Sequence, residues 1–221
     1  MINSKDYHDY FFKDGKFIGK FEEMYKNSGM VPWNQDNQGH WPDVLITQSI
    51  IPEFAGNIGE IHDLGCGLGY YLDLLNKAFA KNNCSCFGYD LSPTCIAQAE
   101  TIFSDYMFSE NNLITNFTLK GKKEKQKLVS LRGTIWYIVD YLDIVINNIN
   151  NAIACNDFLL INQNFPPEVS NYYGKGKLPN SGILEDCLNK KFKVVFSVFF
   201  VNHTRNTNDN WYIGLFKKEQ N

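Results

Sequence analysis

The chain has only four histidines among 221 residues, and they form no recognisable pairs with one another or with the six cysteines, so zinc chemistry is not expected. No cysteines are spaced as Cys-x-x-Cys. Cys84 and Cys86 would share one face of a strand, which reads as reduced thiols packed in a cytoplasmic protein. No apolar run approaches the roughly 18 residues of a membrane span, and the start at Met1-Ile2-Asn3-Ser4-Lys5-Asp6 lacks a signal-peptide core. The expectation is therefore a cytoplasmic protein without a membrane partner. Basic excess is also absent: the formal net charge is −3, which disfavours a nucleic-acid substrate. The one dense basic stretch, residues 120–127, reads as a solvated loop. Internal repeats and low-complexity tracts are missing, and the many asparagines are scattered.

What the chain does have is Ile61-His62-Asp63-Leu64-Gly65-Cys66-Gly67-Leu68-Gly69-Tyr70, an apolar strand end that stops at an acid and breaks into alternating glycines. From Tyr70 onward the apolar spacing is helical, so the glycines sit where a strand turns into a helix. Glycine there permits positive φ and close approach of a ligand, and the helix start beyond offers free N–H groups. A dinucleotide turn of the G-x-G-x-x-G type beginning at Gly65 needs a small residue at position 70, where Tyr70 stands, so a nicotinamide cofactor is disfavoured. A second strand over residues 84–90 also ends in an acid, Asp90, and Ser92-Pro93 opens the next helix. Read without a ligand, Asp63 and Asp90 would simply cap helices around a tight turn.

Together, D-x-G-x-G-x-G at Asp63, Gly65, Gly67 and Gly69 and the second acid at Asp90 resemble the class I S-adenosylmethionine (SAM) methyltransferases. The resemblance implies SAM as cofactor, with S-adenosylhomocysteine as product. It also implies a binding set of Asp63, Gly65, Cys66, Gly67, Gly69, Asp90 and Leu91, with Asp90 on the ribose hydroxyls. The implied fold is α/β: a doubly wound, mostly parallel seven-stranded sheet ending in an antiparallel hairpin, with an N-terminal helical cap. The chain departs from the family in two places. The expected third strand, residues 114–119, is followed by Lys120-Gly121-Lys122 where many members carry an adenine-binding acid, and Gln126-Lys127-Leu128 opens the fourth strand where an aspartate is usual.

Periodicity supplies the remaining elements: helices at 70–81, 93–106, 134–153 and 181–191, strands at 127–131 and 158–161, and strand-like runs at 192–201 and 211–216. The connection between these last two is too short for a crossover helix, so they should pair antiparallel. A composition of 44% hydrophobic residues suits one such domain over residues 58–221. Residues 1–57, rich in aromatics, are expected to form a helical cap or lid that keeps the pocket dry.

Methyl transfer asks mainly for positioning. A hydroxyl acceptor additionally needs a general base; His8, His40 and His203 are the candidates, with His203 first because it lies at a strand end and His40 also assigned to catalysis. An anionic acceptor would instead need a cation such as Arg132, Lys175 or Arg205. The resemblance sets Arg132 beside both cofactor and acceptor, and Asn164, with Asn162 and Gln163, at the substrate edge. The segments 21–26, 132–137 and 161–166 look like those of small methyltransferases of surface-glycan biosynthesis, which implies an oxygen of a sugar, nucleotide-linked or phosphate/phosphoramidate metabolite as acceptor. The expected partner is thus a small molecule, with no metal. Alternatives are a catalytically silent SAM-binding scaffold and an aminopropyltransferase-like enzyme, for which an acid-lined polyamine site is not evident. Oligomeric state is left open.

Overall fold

The computed structural model describes residues 4–13, 16–167, 172–201 and 210–220. Seven strands form one sheet: β3 (Glu60–Leu64), β4 (Ser85–Asp90), β5 (Met107–Glu110), β6 (Lys127–Arg132), β7 (Phe158–Phe165), β8 (Lys193–Val201) and β9 (Asn210–Lys217), while β1 (Phe12–Lys13) and β2 (Lys16–Phe17) make a separate small ribbon. The sheet order is β5-β4-β3-β6-β7-β9-β8, parallel from β5 to β7 and antiparallel where β9 enters between β7 and β8. Every residue of β3 is buried, as a central parallel strand with helices on both faces requires. Helices α3 (Tyr70–Ala78), α4 (Pro93–Ile102), α6 (Leu142–Ala152) and α7 (Ser181–Asn189) flank it. None of the described helices is long and apolar enough to cross a membrane.

Two expectations are corrected. The third strand is Met107–Glu110, and residues 114–119 are irregular. Their alternation is real but serves packing: Phe117 and Leu119 lie on the core formed with α6, and Asn148 Nδ2 donates to the carbonyls of Leu113 (2.9 Å) and Thr115 (3.0 Å). The earlier helix consequently ends at Ile102 rather than at 106. The long helix over 134–153 is broken into α5 (Ile135–Ile138), a 3-10 turn Val139–Tyr141 and α6, because Ile138 (φ −119°, ψ 8°) and Tyr141 (φ −122°, ψ 16°) leave helical geometry.

The basic stretch is not wholly solvated either. Lys127 is buried, its ammonium 3.5 Å from Glu60 and donating to the Lys122 and Lys125 carbonyls, and Glu60 accepts the Lys122 N–H (2.8 Å). Beside it His62 stacks on Phe87 (4.6 Å between ring centroids), and burial holds its imidazole down to about 3, so the ring is neutral at ordinary pH.

The N-terminal 57 residues are only partly helical. A 3-10 turn Tyr7–Tyr10, the ribbon, α1 (Phe21–Asn27), a kinked 3-10 stretch Pro32–His40 and α2 (Pro42–Ala55) succeed one another. Tyr7, Tyr10, Phe11, Met24 and Tyr25 form a satellite core with Leu68 of the glycine turn and Cys95 of α4. Glu22 fixes this cap to the sheet domain: its carboxylate accepts from Ser92 Oγ, Thr94 N (3.1 Å) and Thr94 Oγ1 (2.7 Å) at the start of α4 and pairs with Lys26 (2.8 Å). Desolvation works against these partners, but they win and bring the carboxyl down to about 2. The folded value lies below the ordinary 4.5, so the contribution is complete above pH 4.5 and is lost as pH falls toward 2. Glu22→Ala is expected to lower stability by about 1 kcal/mol at pH 7, the usual worth of a helix cap. In thermal unfolding, the gap between wild type and variant should narrow steadily below pH 4.5; a gap independent of pH would remove this role.

Candidate functional site

The carboxyl ends of β3, β4 and β6 open onto a cavity of about 600 Å3, roofed by the cap. Its floor is the glycine turn. Gly65 (φ 73°), Gly67 (φ 54°) and Gly69 (φ 85°) all take left-handed conformations, which lets β3 turn sharply into α3. A Cβ on Gly65 would come within 2.6 Å of Thr134 Oγ1, and one on Gly67 would collide with the Gln35 carboxamide. Gly65, Cys66 and Gly67 line the cavity; Gly69 does not, and a Cβ there would press on Phe108 and Phe103 instead.

Two carboxylates reach this floor. Asp90 Oδ2 accepts the Gly67 N–H (3.1 Å) and Oδ1 the Ser92 N–H (3.0 Å), so one side chain ties both strand-to-helix turns together. Burial pushes its carboxyl up, while the Ser92, Gly67 and Leu91 amides hold it down. Asp63 accepts from Ser130 Oγ (2.6 Å) and is pushed by burial to about 7 despite Ser130 and Arg132. Beyond Asp90, Leu91 presents a half-exposed aliphatic side chain to the cavity. Facing it are Asn111, Asn112, Leu113 and Ile114, which follow β5, and Asn111 Oδ1 is buried without a partner. Sequence reasoning missed these four residues by setting the third strand too late; the parallel register Asp90↔Glu110 puts Asn111 next to Asp90.

At the other end stands Arg132, which lines the cavity. Its Nε donates to Asp43 Oδ2 (2.8 Å) and Nη1 to Gln38 Oε1, while Tyr71, Trp211 and Trp41 surround the guanidinium at 4.9, 5.2 and 5.5 Å. The guanidinium is thus paired with a fully buried carboxylate, while its Nη2 is buried without a partner among the described residues and the residue lines the cavity. Asn162 belongs to the same network, donating to Thr47 Oγ1 (3.2 Å), and Gln163 Oε1 receives the Ile135 N–H. Asn164 lines the cavity.

The candidate histidines stand in different surroundings. His203, like Arg205, lies outside the described residues. His40 is exposed at the end of the kinked 3-10 stretch and is not on the cavity wall, and Lys175 stands over the Tyr172 ring away from it. His8 does line the cavity, with Nδ1 2.7 Å from Asp6 Oδ1. A carboxylate only accepts, so Nδ1 carries the hydrogen and the neutral ring keeps its lone pair on Nε2.

No protein-family model matches the chain. No curated protein matches it either. Solved structures do: the N-methyltransferase NodS of Bradyrhizobium japonicum WM9 in complex with S-adenosylhomocysteine superposes with TM-score 0.65 at 13% identity, over 90% of this chain and 98% of that one. A protein studied for conversion of a disulfide bond into a thioacetal group in echinomycin biosynthesis gives 0.64 at 18% identity, over 91% and 92%. The [4+2]-cyclase SpnF gives 0.62 at 13% identity, over 81% of each. The likeness is one of fold: this is the α/β methyltransferase fold, with its mostly parallel seven-stranded sheet and antiparallel end.

The turn geometry makes a direct prediction. Gly67→Val has to hold a branched side chain at φ 54° and displace the Gln35 carboxamide, which accepts the Leu68 N–H (2.8 Å). A ligand seated on this turn should lose at least about 100-fold in affinity, on roughly 3 kcal/mol of strain and lost contact, as read by calorimetry on the folded variant with S-adenosylhomocysteine as the probe. Retained affinity would move the ligand's seat off this turn.

Proposed function

We propose that the chain is a SAM-dependent methyltransferase acting on an oxygen of a small acceptor. The observation that carries this is the junction of Gly67 and Asp90 on one cavity wall, beside Leu91 and the unpartnered Asn111 amide oxygen. These residues fit the cofactor. Asp90 would take the ribose hydroxyls, Asn111 with Leu91, Leu113 and Ile114 the flat purine and its amino group, and the Gly65 to Gly67 turn the amino-acid end. The bound cofactor supplies a methyl group on a cationic sulfur. Asp63, the other carboxylate of the cavity, is in reach of that end of the site and contributes negative charge once deprotonated.

The chain's own chemistry then concerns the acceptor. His8 Nε2 would receive the hydroxyl proton while Asp6 steadies the ring through Nδ1, the usual division of labour in a histidine–carboxylate pair. The aromatic cap, with Phe11, Phe17, Phe21 and Trp33 on the cavity wall, excludes water. A phosphate or phosphoramidate acceptor of the surface-glycan type draws less support, since Asp43 balances Arg132. An aminopropyl acceptor draws less still: Asp63 and Asp90 are the carboxylates on the described wall, and both belong to the cofactor end. The SpnF likeness keeps a reading without methyl transfer in play, because this fold carries other activities.

Calorimetric titration with S-adenosylhomocysteine, with NAD as control, tests the cofactor. Micromolar binding of the first alone is expected, and Asp90→Asn should weaken it by about 100-fold, the loss of roughly 3 kcal/mol of charge-assisted bonds. No binding, or equal binding of NAD, ends the proposal. Given an active acceptor, His8→Asn should lower kcat by about 100-fold and leave S-adenosylhomocysteine affinity within about twofold, whereas His40→Asn should change neither. An unaffected kcat in His8→Asn would assign proton transfer elsewhere.

A further inference from the structure

A second cavity, of about 580 Å3, continues from the first and shares Trp136, Tyr137 and Asn164 with it. Phe12, Pro166, Tyr172 and Tyr173 complete its described walls. The rings brace one another: Phe17 stacks between Tyr137 (5.9 Å) and Tyr173 (5.4 Å), Phe12 meets Tyr173 edge-on (5.8 Å), and Trp136 meets Tyr172 edge-on (5.0 Å). A cavity of about 150 Å3 admits one benzene ring, so this chamber has room for a bicyclic one.

The polar handles of these aromatics are engaged with the protein. Tyr173 donates to Asp140 Oδ2 (2.7 Å), Tyr172 to the Leu178 and Pro179 carbonyls (3.3 and 3.1 Å), and Trp136 Nε1 to the Asn164 carbonyl (3.0 Å), while Tyr137 pairs with the Trp33 side chain. Asp140 is neutralised by Lys177 (2.9 Å), and no charged side chain stands on the described wall. Asn164 Oδ1 accepts from Gln163 Nε2 (2.9 Å) and Tyr137 accepts from the Trp33 indole N–H, which leaves the Asn164 Nδ2 amide hydrogens and the Tyr137 O–H as the wall's side-chain donors without a partner among the described residues. On its described walls the chamber therefore offers ring faces and edges, the amide hydrogens of Asn164 and the Tyr137 O–H.

We propose that this chamber is the acceptor's recognition site and that it selects a neutral aromatic ring bearing a hydrogen-bond-accepting substituent, directed to Asn164 Nδ2 and the Tyr137 hydroxyl. A pyranose would bring several hydroxyls and find, on the described wall, one amide and one phenol as free side-chain donors; each hydroxyl buried unpaired costs about 1–3 kcal/mol. A phosphate or carboxylate would find no charged side chain on the described wall, Lys175 standing 5.8 Å from the centroid of the Tyr172 ring. The proposal rests on the methyltransfer reading for the reaction that follows binding, but ring recognition itself does not depend on it.

The test titrates the chain, first saturated with S-adenosylhomocysteine and then without it, with 2-naphthol, 2-naphthyl phosphate and methyl β-D-glucopyranoside, following tryptophan fluorescence and heat. The expected order has 2-naphthol at least about tenfold tighter than either of the others. Tyr173→Ala should weaken 2-naphthol by about tenfold, the worth of one aromatic contact, while S-adenosylhomocysteine affinity stays within about twofold. Tyr173→Phe keeps the ring and should bind 2-naphthol like wild type, which separates loss of the contact from loss of the fold. Tighter binding of the glucoside or the phosphate, or 2-naphthol binding indifferent to Tyr173→Ala, overturns the proposal. If S-adenosylhomocysteine fails to bind while 2-naphthol follows the expected order, the cofactor reading falls and the ring site stands.

Discussion

The carboxyl edge of the sheet is organised by one carboxylate. Asp90 holds the Gly67 N–H with one oxygen and the Ser92 N–H with the other, and so welds the turn after β3 to the turn after β4. Both are turns in which the chain leaves a buried strand with N–H groups unpaired, and those groups need partners before anything else can be built there. The backbone answers part of the need, since the Tyr89 carbonyl accepts from Gly65 and Cys66. Asp90 answers the rest at the point where a ligand would sit, and pays for it with a carboxyl raised by desolvation. Ser92 extends the same device outward, because its hydroxyl accepts the Cys95 N–H and donates to Glu22 of the cap. Cap, turn and strand end are thus linked through consecutive hydrogen bonds.

At the far end of the cavity the problem is a guanidinium rather than a carboxylate. Arg132 is almost wholly buried, and only Asp43, Gln38 and three aromatic faces make that tolerable. Removing Asp43 would strand a charge, at a cost of about 3–5 kcal/mol. The pair is net neutral and holds α2 against β6, while Arg132 lines the cavity with its Nη2 left without a partner among the described residues. Neutrality here and in the adjoining aromatic chamber points the same way.

How much of this is legible in the sequence follows from how local each cause is. The glycine turn with Asp63, and Asp90 at the end of its strand, are set within a few residues and could be read directly. Gly69 belongs to the same motif, yet it faces Phe103 and Phe108, because a motif specifies backbone conformation and not which way each residue faces. Residues 114–119 alternate as a strand would, since packing one face on α6 imposes the same period as a ladder; only pairing to β4 distinguishes them, and Met107–Glu110 has it. The Arg132–Asp43 pair joins residues 89 positions apart, and nothing near either one signals the other. His8 sat among the candidate histidines, but its standing on the cavity wall depends on where the cap folds.

That dependence reaches the cavity as a whole. Trp33 and Asn34 both adopt left-handed backbone (φ 55° and 49°), a conformation that costs non-glycine residues about 1–3 kcal/mol each. The strain is held by what it positions: Trp33 stacks on Phe11 (5.7 Å), and Gln35 reaches the Leu68 N–H of the glycine turn while its Nε2 donates to Tyr25. The cavity has walls from both the cap and the sheet domain, so it exists only while the two are packed. A ligand that binds this closed arrangement and not the open one stabilises it by RT ln(1 + [L]/Kd), about 2.7 kcal/mol at a hundredfold excess over Kd. That is comparable to the backbone strain at Trp33 and Asn34. Packing of the cap and integrity of the cavity are therefore one property, held by the hydrogen bonds of Glu22 and Gln35.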